Sequence, residues 1–204
     1  MSSAAAPERR THAERTALMR ERVMSAVVEV IADVGFARTT AAEIARRAGV
    51  TWGAVQHHFG DKDGILMAVL EESFSHFADE LGEVVPRQSR EHRAGLFVDR
   101  GWAHFSGPRY QSTFEILLNL PAETELPWQR EMLKQWHHIW SQYFPESDPA
   151  EQETVELMLY TVSVLTGLAS TQILGGNPAR SRDRELGMLK DTLVRELRRG
   201  TSTS

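Results

Sequence analysis

Apolar residues recur at the helical period along most of the chain. Val23, Val27, Val30, Ile31 and Val34 keep the 3.6-residue spacing and predict a helix over Arg15–Val34, stopped by the left-handed conformation open to Gly35. Thr40 followed by Glu43 has the spacing of a capping box. It opens a short helix with Ile44, Ala45 and Ala48 inward, closed by Gly49. Thr51 can cap the next helix, with Val55, His58 and Phe59 on one side, and Asp61 a fourth, whose broad apolar face runs from Ile65 to Leu81. Five further helices are predicted near Arg90–Phe105, Arg109–Leu120, Glu125–Phe144, Pro149–Leu174 and Arg182–Arg198. The breaks fall at Pro86, Gly107-Pro108, Pro121, Pro145 and Gly175-Gly176-Asn177-Pro178, and Asp148-Pro149-Ala150-Glu151 reads as a helix start. No strand pattern and no internal repeat emerges. The expected fold is all-α with about nine helices: a head over residues 1–64 and a helical bundle over 65–204.

Residues 40–59 carry the most specific chemistry. The alanines of the first short helix let a second backbone approach closely, Gly49 turns the chain, and Val50 and Val55 can plug the corner. That is the spacing of a helix-turn-helix, whose second helix is held out to enter a major groove. Trp52, Gly53, Gln56 and His57 project away from the Val55/Phe59 side. Glutamine can pair with adenine through two hydrogen bonds, and Thr, His or Trp can meet a phosphate, a base edge or a thymine methyl. Charge distribution fits an anionic partner only locally. The whole chain has a formal net charge of −5, with +1 over residues 1–64 and −6 over 65–204. Arg9, Arg10 and Arg15 form a basic lead-in that is either simply solvated or a minor-groove arm.

Residues 15–66 resemble the DNA-binding region of the TetR family of bacterial transcriptional regulators. The features that carry the resemblance are Val34-Gly35-Phe36, Thr39-Thr40, Glu43-Ile44-Ala45, Ala48-Gly49-Val50-Thr51 and His58-Phe59-Gly60-Asp61-Lys62-Asp63-Gly64-Ile65-Leu66, in that order and spacing. The resemblance implies a homodimer on a palindromic double-stranded DNA operator, with a C-terminal domain that takes a small molecule and changes the spacing of the two heads. Carried over by position, Thr40, Thr51, Trp52, Gly53, Gln56, His57 and His58 lie on or near the DNA face, and Lys62 meets a phosphate. Gln56 stands where the family usually has tyrosine, and Trp52 where a small or basic residue is more usual. Both departures bear on which operator is read.

Trp102, Phe105, Tyr110, Phe114, Trp128, Trp136, Trp140, Tyr143 and Phe144 fall within 43 positions. Any one of them reads as core. As a group they suit an apolar cavity between helices, and Trp102, Phe105, Phe114, Leu118, Trp136 and Trp140 are the expected contacts to a small apolar or aromatic effector. Gln111, Thr113, Glu115, Asn119 and His104 are candidate orienting groups. The 23-residue uncharged stretch Leu157–Ala179 holds too many Ser, Thr and Gly for a comfortable lipid-facing span, so no membrane is expected. With the stripe Leu186, Leu189, Leu193 and Leu197, it predicts a dimer contact through the helices near 149–174 and 182–198.

Zero cysteines exclude disulfides, thiolate metal sites and iron–sulfur clusters. His137 and His138 are adjacent and point about 100° apart on a helix, so they do not chelate a metal as an i, i+4 pair does. No nucleophile elbow, P-loop, dinucleotide fingerprint or zinc-protease motif is found, so neither an enzyme nor a cofactor is expected. Met1–Arg22 has charges throughout and no apolar run of an export signal, and a cytoplasmic location is expected. The function read from these features is ligand-responsive regulation of transcription, most naturally repression. Two rivals differ in what they require: a DNA-binding regulator without effector would have a filled core, and a helical enzyme or partner-binding module a blocked recognition face.

Overall fold

The structure is a computed structural model, and it describes residues 11–82, 88–119, 127–148, 151–175 and 181–200. The described residues hold nine α-helices and one 3-10 turn joined by short connections, with no strand among them. Helix α1 is His12–Val34, followed by the turn Phe36–Arg38; α2 is Ala41–Ala48, α3 Trp52–Phe59 and α4 Lys62–Leu81. Then come α5 (Arg90–Phe105), α6 (Pro108–Leu118), α7 (Pro127–Tyr143), α8 (Gln152–Gly175) and α9 (Asp183–Gly200). The chain divides into two compact units, Met1–Leu70 and Glu71–Ser204. The division falls inside α4, six residues past the 64/65 boundary expected from sequence.

The first unit is built on the buried stripe Val23, Val27, Val30 and Ile31 of α1, which meets Ile44, Ala45 and Ala48 of α2 and Val55 of α3 in the core. Helix α1 starts three residues before the expected Arg15. Thr11 and Glu14 form a capping box there, with the Glu14 amide donating to Thr11 Oγ1 (3.2 Å) and the Thr11 amide to Glu14 Oε2 (2.7 Å).

The second unit has an aromatic-rich core. Phe77, Phe97, Trp140, Tyr143 and Phe144 are fully buried, joined by Leu186, Leu189, Leu193 and Leu197 of α9. The α9 stripe, expected to face a second chain, is therefore buried in its own chain: Leu193 is 0% exposed. An amphipathic stripe states that a face needs cover, not which chain supplies it. A partly buried charge cluster ties the end of α7 to α5. Arg93 Nε donates to the Tyr143 carbonyl at 2.6 Å, and its Nη2 to both Glu146 oxygens at 2.6 and 2.7 Å, while Arg90 donates to the same carboxylate at 3.0 Å.

Helix α8 begins at Gln152, with the Glu151 carbonyl accepting from Val155. The start expected at Asp148 runs through residues 149–150, which lie outside the described residues, as do the breaks at Pro86, Pro121 and Gly176-Asn177-Pro178 and the arm residues Arg9 and Arg10.

Candidate nucleic-acid interface

Three short polar caps shape the head. Thr40 Oγ1 accepts from the Glu43 amide, Thr51 Oγ1 from the Ala54 amide, both at 3.2 Å, and Asp61 Oδ1 from the Gly64 amide at 2.9 Å. The expected return bond from the Glu43 carboxylate is replaced. Arg46 draws that carboxylate in through a 2.8 Å hydrogen bond and holds it below the usual carboxylate range. Between α2 and α3 the chain turns at Gly49 (φ 65°, ψ 38°), the left-handed conformation that glycine takes without strain. Gly64 is required by space: a Cβ there would lie 1.9 Å from the Phe59 carbonyl oxygen. Helices α3 and α4 meet at this corner through two different uses of glycine: Gly60 takes a positive φ (79°) in open space, and Gly64 leaves room for the Phe59 carbonyl.

Helix α3 buries only Val55 completely. Thr40, Thr51, Gly53, Gln56 and His57 are exposed, and Trp52 and His58 half-buried. The helix therefore presents a reading face with no lysine or arginine on it. Its polar groups are the Gln56 amide and two imidazoles whose rings meet edge to face at 5.0 Å. Lys62 has an internal partner: Nζ donates to the Thr39 carbonyl at 2.9 Å and lies 4.8 Å from the centre of the Phe36 ring. An ammonium has three donors, so this bond leaves it able to meet a phosphate as well.

Two residues with no sequence signal of their own complete the head. Arg22 of α1 donates to the Ala48 carbonyl at 2.6 Å, and Arg20 to the His58 carbonyl at 3.3 Å while lying 4.7 Å over the Phe59 ring. Their targets are 26 and 38 residues away in sequence, so periodicity does not reveal them.

Residues 23–69 match the family model for bacterial regulatory proteins of the tetR family. Those residues form a DNA-binding region of the TetR family. It is 36% identical over 85 residues to the HTH-type transcriptional regulator BetI of Escherichia coli O17:K52:H18, covering 40% of this chain and 44% of BetI. With BetI of Paraburkholderia xenovorans it shares 31% identity over 126 residues, 61% of this chain and 54% of that protein. The matches thus span about half, or less, of these relatives. All are named as regulators of transcription, none as an enzyme. Among solved structures, FadR from Bacillus subtilis in complex with stearoyl-CoA aligns with a TM-score of 0.66 at 18% identity, over 87% of this chain and 96% of that one. The multidrug binding protein EbrR complexed with imidazole aligns at 0.62, also with 18% identity, over 87% and 88%. At such identity the likeness concerns the fold, which is that of a TetR-family chain with an N-terminal helix-turn-helix.

In the second unit, five of the six expected effector contacts share one packed cluster, with Phe105, Trp136 and Trp140 buried in it and Trp102 and Phe114 packed against it. Phe105 and Trp136 both pack on Phe77 of α4, with ring centres 5.2 and 4.6 Å away. Trp140 packs instead on Phe97 and Phe144, and its Nε1 donates to Ser147 at 3.1 Å. Trp102 and Phe114 are half-buried, and Leu118 is 65% exposed at the end of α6. Among the candidate orienting groups, Thr113 donates to Ser73 Oγ at 3.0 Å, His104 Nδ1 meets Glu80 at 2.7 Å, and Asn119 donates to the Glu115 carbonyl at 2.8 Å. A separate open groove of about 990 Å³ follows α8 and α9, and its lining mixes carboxylates, among them Glu146, Glu151, Glu156 and Glu196, with Leu157, Tyr160 and Leu197. Among the described residues no group of three or more His, Asp or Glu is placed to hold a metal ion.

Proposed function

We propose that this chain is a cytoplasmic transcriptional regulator, acting as a repressor, that binds a palindromic operator as a homodimer and is released by a small apolar or aromatic effector. The observation that carries the reading is the outward face of α3: Gly53, Gln56 and His57 are exposed while Val55 anchors the helix from behind. In this reading Gln56 reads a base, Trp52 and His57 meet the adjacent backbone or a thymine methyl, and Thr40, Thr51, His58 and Lys62 flank them. The dimer is supported by α8 and α9. Leu159, Tyr160 and Leu174 on α8 and Met188 on α9 stay 47–79% exposed. Helix-interior Gly167 and Gly187 have nothing within 4 Å of where a Cβ would stand. Glycine costs a helix about 1 kcal/mol, which close approach of a second backbone would offset. Helix α8 is also the one described helix long and apolar enough to cross a membrane. Its hydroxyls at Thr161, Thr166 and Ser170 return to its own carbonyls, and in the proposed dimer its apolar face is covered by protein.

Support for an effector comes from structural neighbours that hold small molecules: stearoyl-CoA in FadR, imidazole in EbrR and minocycline in a TetR variant from Acinetobacter baumannii. In the effector-bound state the molecule would lie against Trp102, Phe105, Phe114, Leu118, Trp136 and Trp140. A second reading, a DNA-binding regulator without effector, is favoured by the direct ring contacts of Trp136 and the complete burial of Trp140. One experiment separates the two. Purified protein is footprinted across genomic DNA with and without a panel of apolar compounds, while tryptophan fluorescence is followed. Protected palindromes that are released as fluorescence quenches support the effector. Protection unmoved by every compound supports the second reading, and no sequence-selective protection overturns both.

A further inference from the structure

Helix α1 touches the ends of both helices of the helix-turn-helix through two guanidinium groups. The last carbonyls of a helix have no intrahelical partner, and that end carries partial negative charge. At the end of α2, the Gly49 and Val50 amides serve the carbonyls of Arg46 and Ala45. The Ala48 carbonyl takes its hydrogen bond from Arg22, at 2.6 Å. At the end of α3, the Gly60 amide serves Gln56, and the His58 carbonyl takes its bond from Arg20 at 3.3 Å. Two residues apart in a helix, the arginines stand about 160° apart around the axis. They flank the buried Val23–Val27–Val30 stripe from opposite sides, so each meets a different helix.

Space has been made for both groups. A Cβ on Gly49 would lie 2.8 Å from Arg22 Nη2, so the turn glycine serves the guanidinium as well as the turn. The guanidinium carbon of Arg20 lies over the Phe59 ring, 4.7 Å from its centre, a distance at which the aromatic face attracts the cation. Three further arginines of the described head also have partners within it: Arg38 the Val34 carbonyl, Arg46 Glu43, and Arg47 Asp33 and Glu43.

We infer that Arg20 and Arg22 are positioning residues for DNA reading. They fix the angle of α3 relative to α2 by holding the two helix ends, and they do so without contributing a phosphate contact of their own. The inference rests on the DNA-binding function proposed above. It distinguishes two uses of a basic residue that salt dependence separates, because each phosphate contact releases counterions and steepens the slope of log Kd against log salt by about one.

The test uses the full chain with Arg20→Met, Arg22→Met and the conservative Arg22→Lys, which keeps a donor but not the planar fork. Operator and scrambled duplexes are titrated by fluorescence anisotropy between about 50 and 200 mM salt. Measurements are made well below each variant's unfolding midpoint, and amide hydrogen exchange of α3 is followed in the free protein. The expected result is a loss of operator affinity of about tenfold or more in the Met variants, with scrambled-DNA affinity and salt slope unchanged. Exchange of the α3 amides is faster, and Arg22→Lys recovers part of both effects. A slope lower by about one, with operator and scrambled DNA weakened alike, overturns the inference in favour of phosphate contacts. Unchanged operator affinity and unchanged exchange overturn it outright. A wild-type chain that prefers no DNA sequence overturns the proposed function itself, and the positioning role with it.

Discussion

Gly53 stands in the exposed face of α3 with nothing within 4 Å of where a Cβ would be. Its cost to the helix is not repaid inside this chain, since alanine would stabilise the head by up to about 1 kcal/mol. The proposed repayment is close approach to DNA. Gly53→Ala is therefore expected to raise the unfolding midpoint while weakening operator binding at least several-fold, in paired melting and anisotropy measurements. Gly64 presents the opposite case, because its missing side chain makes room for the Phe59 carbonyl. A second residue-scale prediction concerns His104, buried against Phe77, Phe105 and Tyr110. Burial lowers its imidazole below the ordinary 6.5, and His76 and Arg109 add to this, while the bond to Glu80 pulls the other way. The unfolded chain then takes up a proton at this residue before the folded chain does. The stability from the neutral ring is full above the ordinary value and is lost as pH falls below it. His104→Gln should flatten the change in urea midpoint between about pH 7.5 and 5.5; an unaltered pH dependence would assign it to other groups.

Helix ends, more than helix middles, carry the specific structure at the scale of elements. Thr11, Thr40, Thr51, Asp61 and Ser89 cap N-termini through side-chain oxygens. These residues stand at the right offsets in the sequence and mark the starts of α1 to α5. The C-terminal ends are held differently. Arg20, Arg22 and Arg93 reach carbonyls far away in the chain. The Arg93–Glu146 pair fixes α5 against the turn after α7, and Arg93 is only 6% exposed. Removing one partner leaves a buried charge without its counterion. Glu146→Ala is expected to cost about 3 kcal/mol in chemical unfolding. Replacing the pair together, as Arg93→Met with Glu146→Leu, should cost much less than Glu146→Ala alone.

For the whole molecule, the division of apolar surface between the chain's own core and a second copy decides the assembly. Leu193→Asp would place a carboxylate in the core of the second unit, where the native leucine is completely buried. It is expected to unfold that unit rather than release folded monomers. Leu159→Asp combined with Met188→Asp places charges on exposed positions instead. Sedimentation of this double variant should give folded monomers with operator affinity reduced by orders of magnitude. A dimer of unchanged mass would move the interface away from the outer faces of α8 and α9.

The helices, their order, the N-caps at Thr40, Thr51 and Asp61 and the helix-turn-helix were legible in the chain itself, because each depends on residues within a few positions of one another. Thr51 and Ala54, or Asp61 and Gly64, settle their geometry locally. The TetR-family resemblance was legible for the same reason, being carried by a continuous run of about fifty residues. What the tertiary structure decided involves partners distant in sequence. It turned Arg20, Arg22 and Lys62 onto backbone carbonyls of the head, assigned the leucine stripe of α9 to its own core, and packed Trp136 against Phe77. A periodic pattern records that a surface must leave water, but the burial energy is non-directional and does not name the surface that covers it. Only the packed arrangement of α4, α5, α7 and α9 makes that choice.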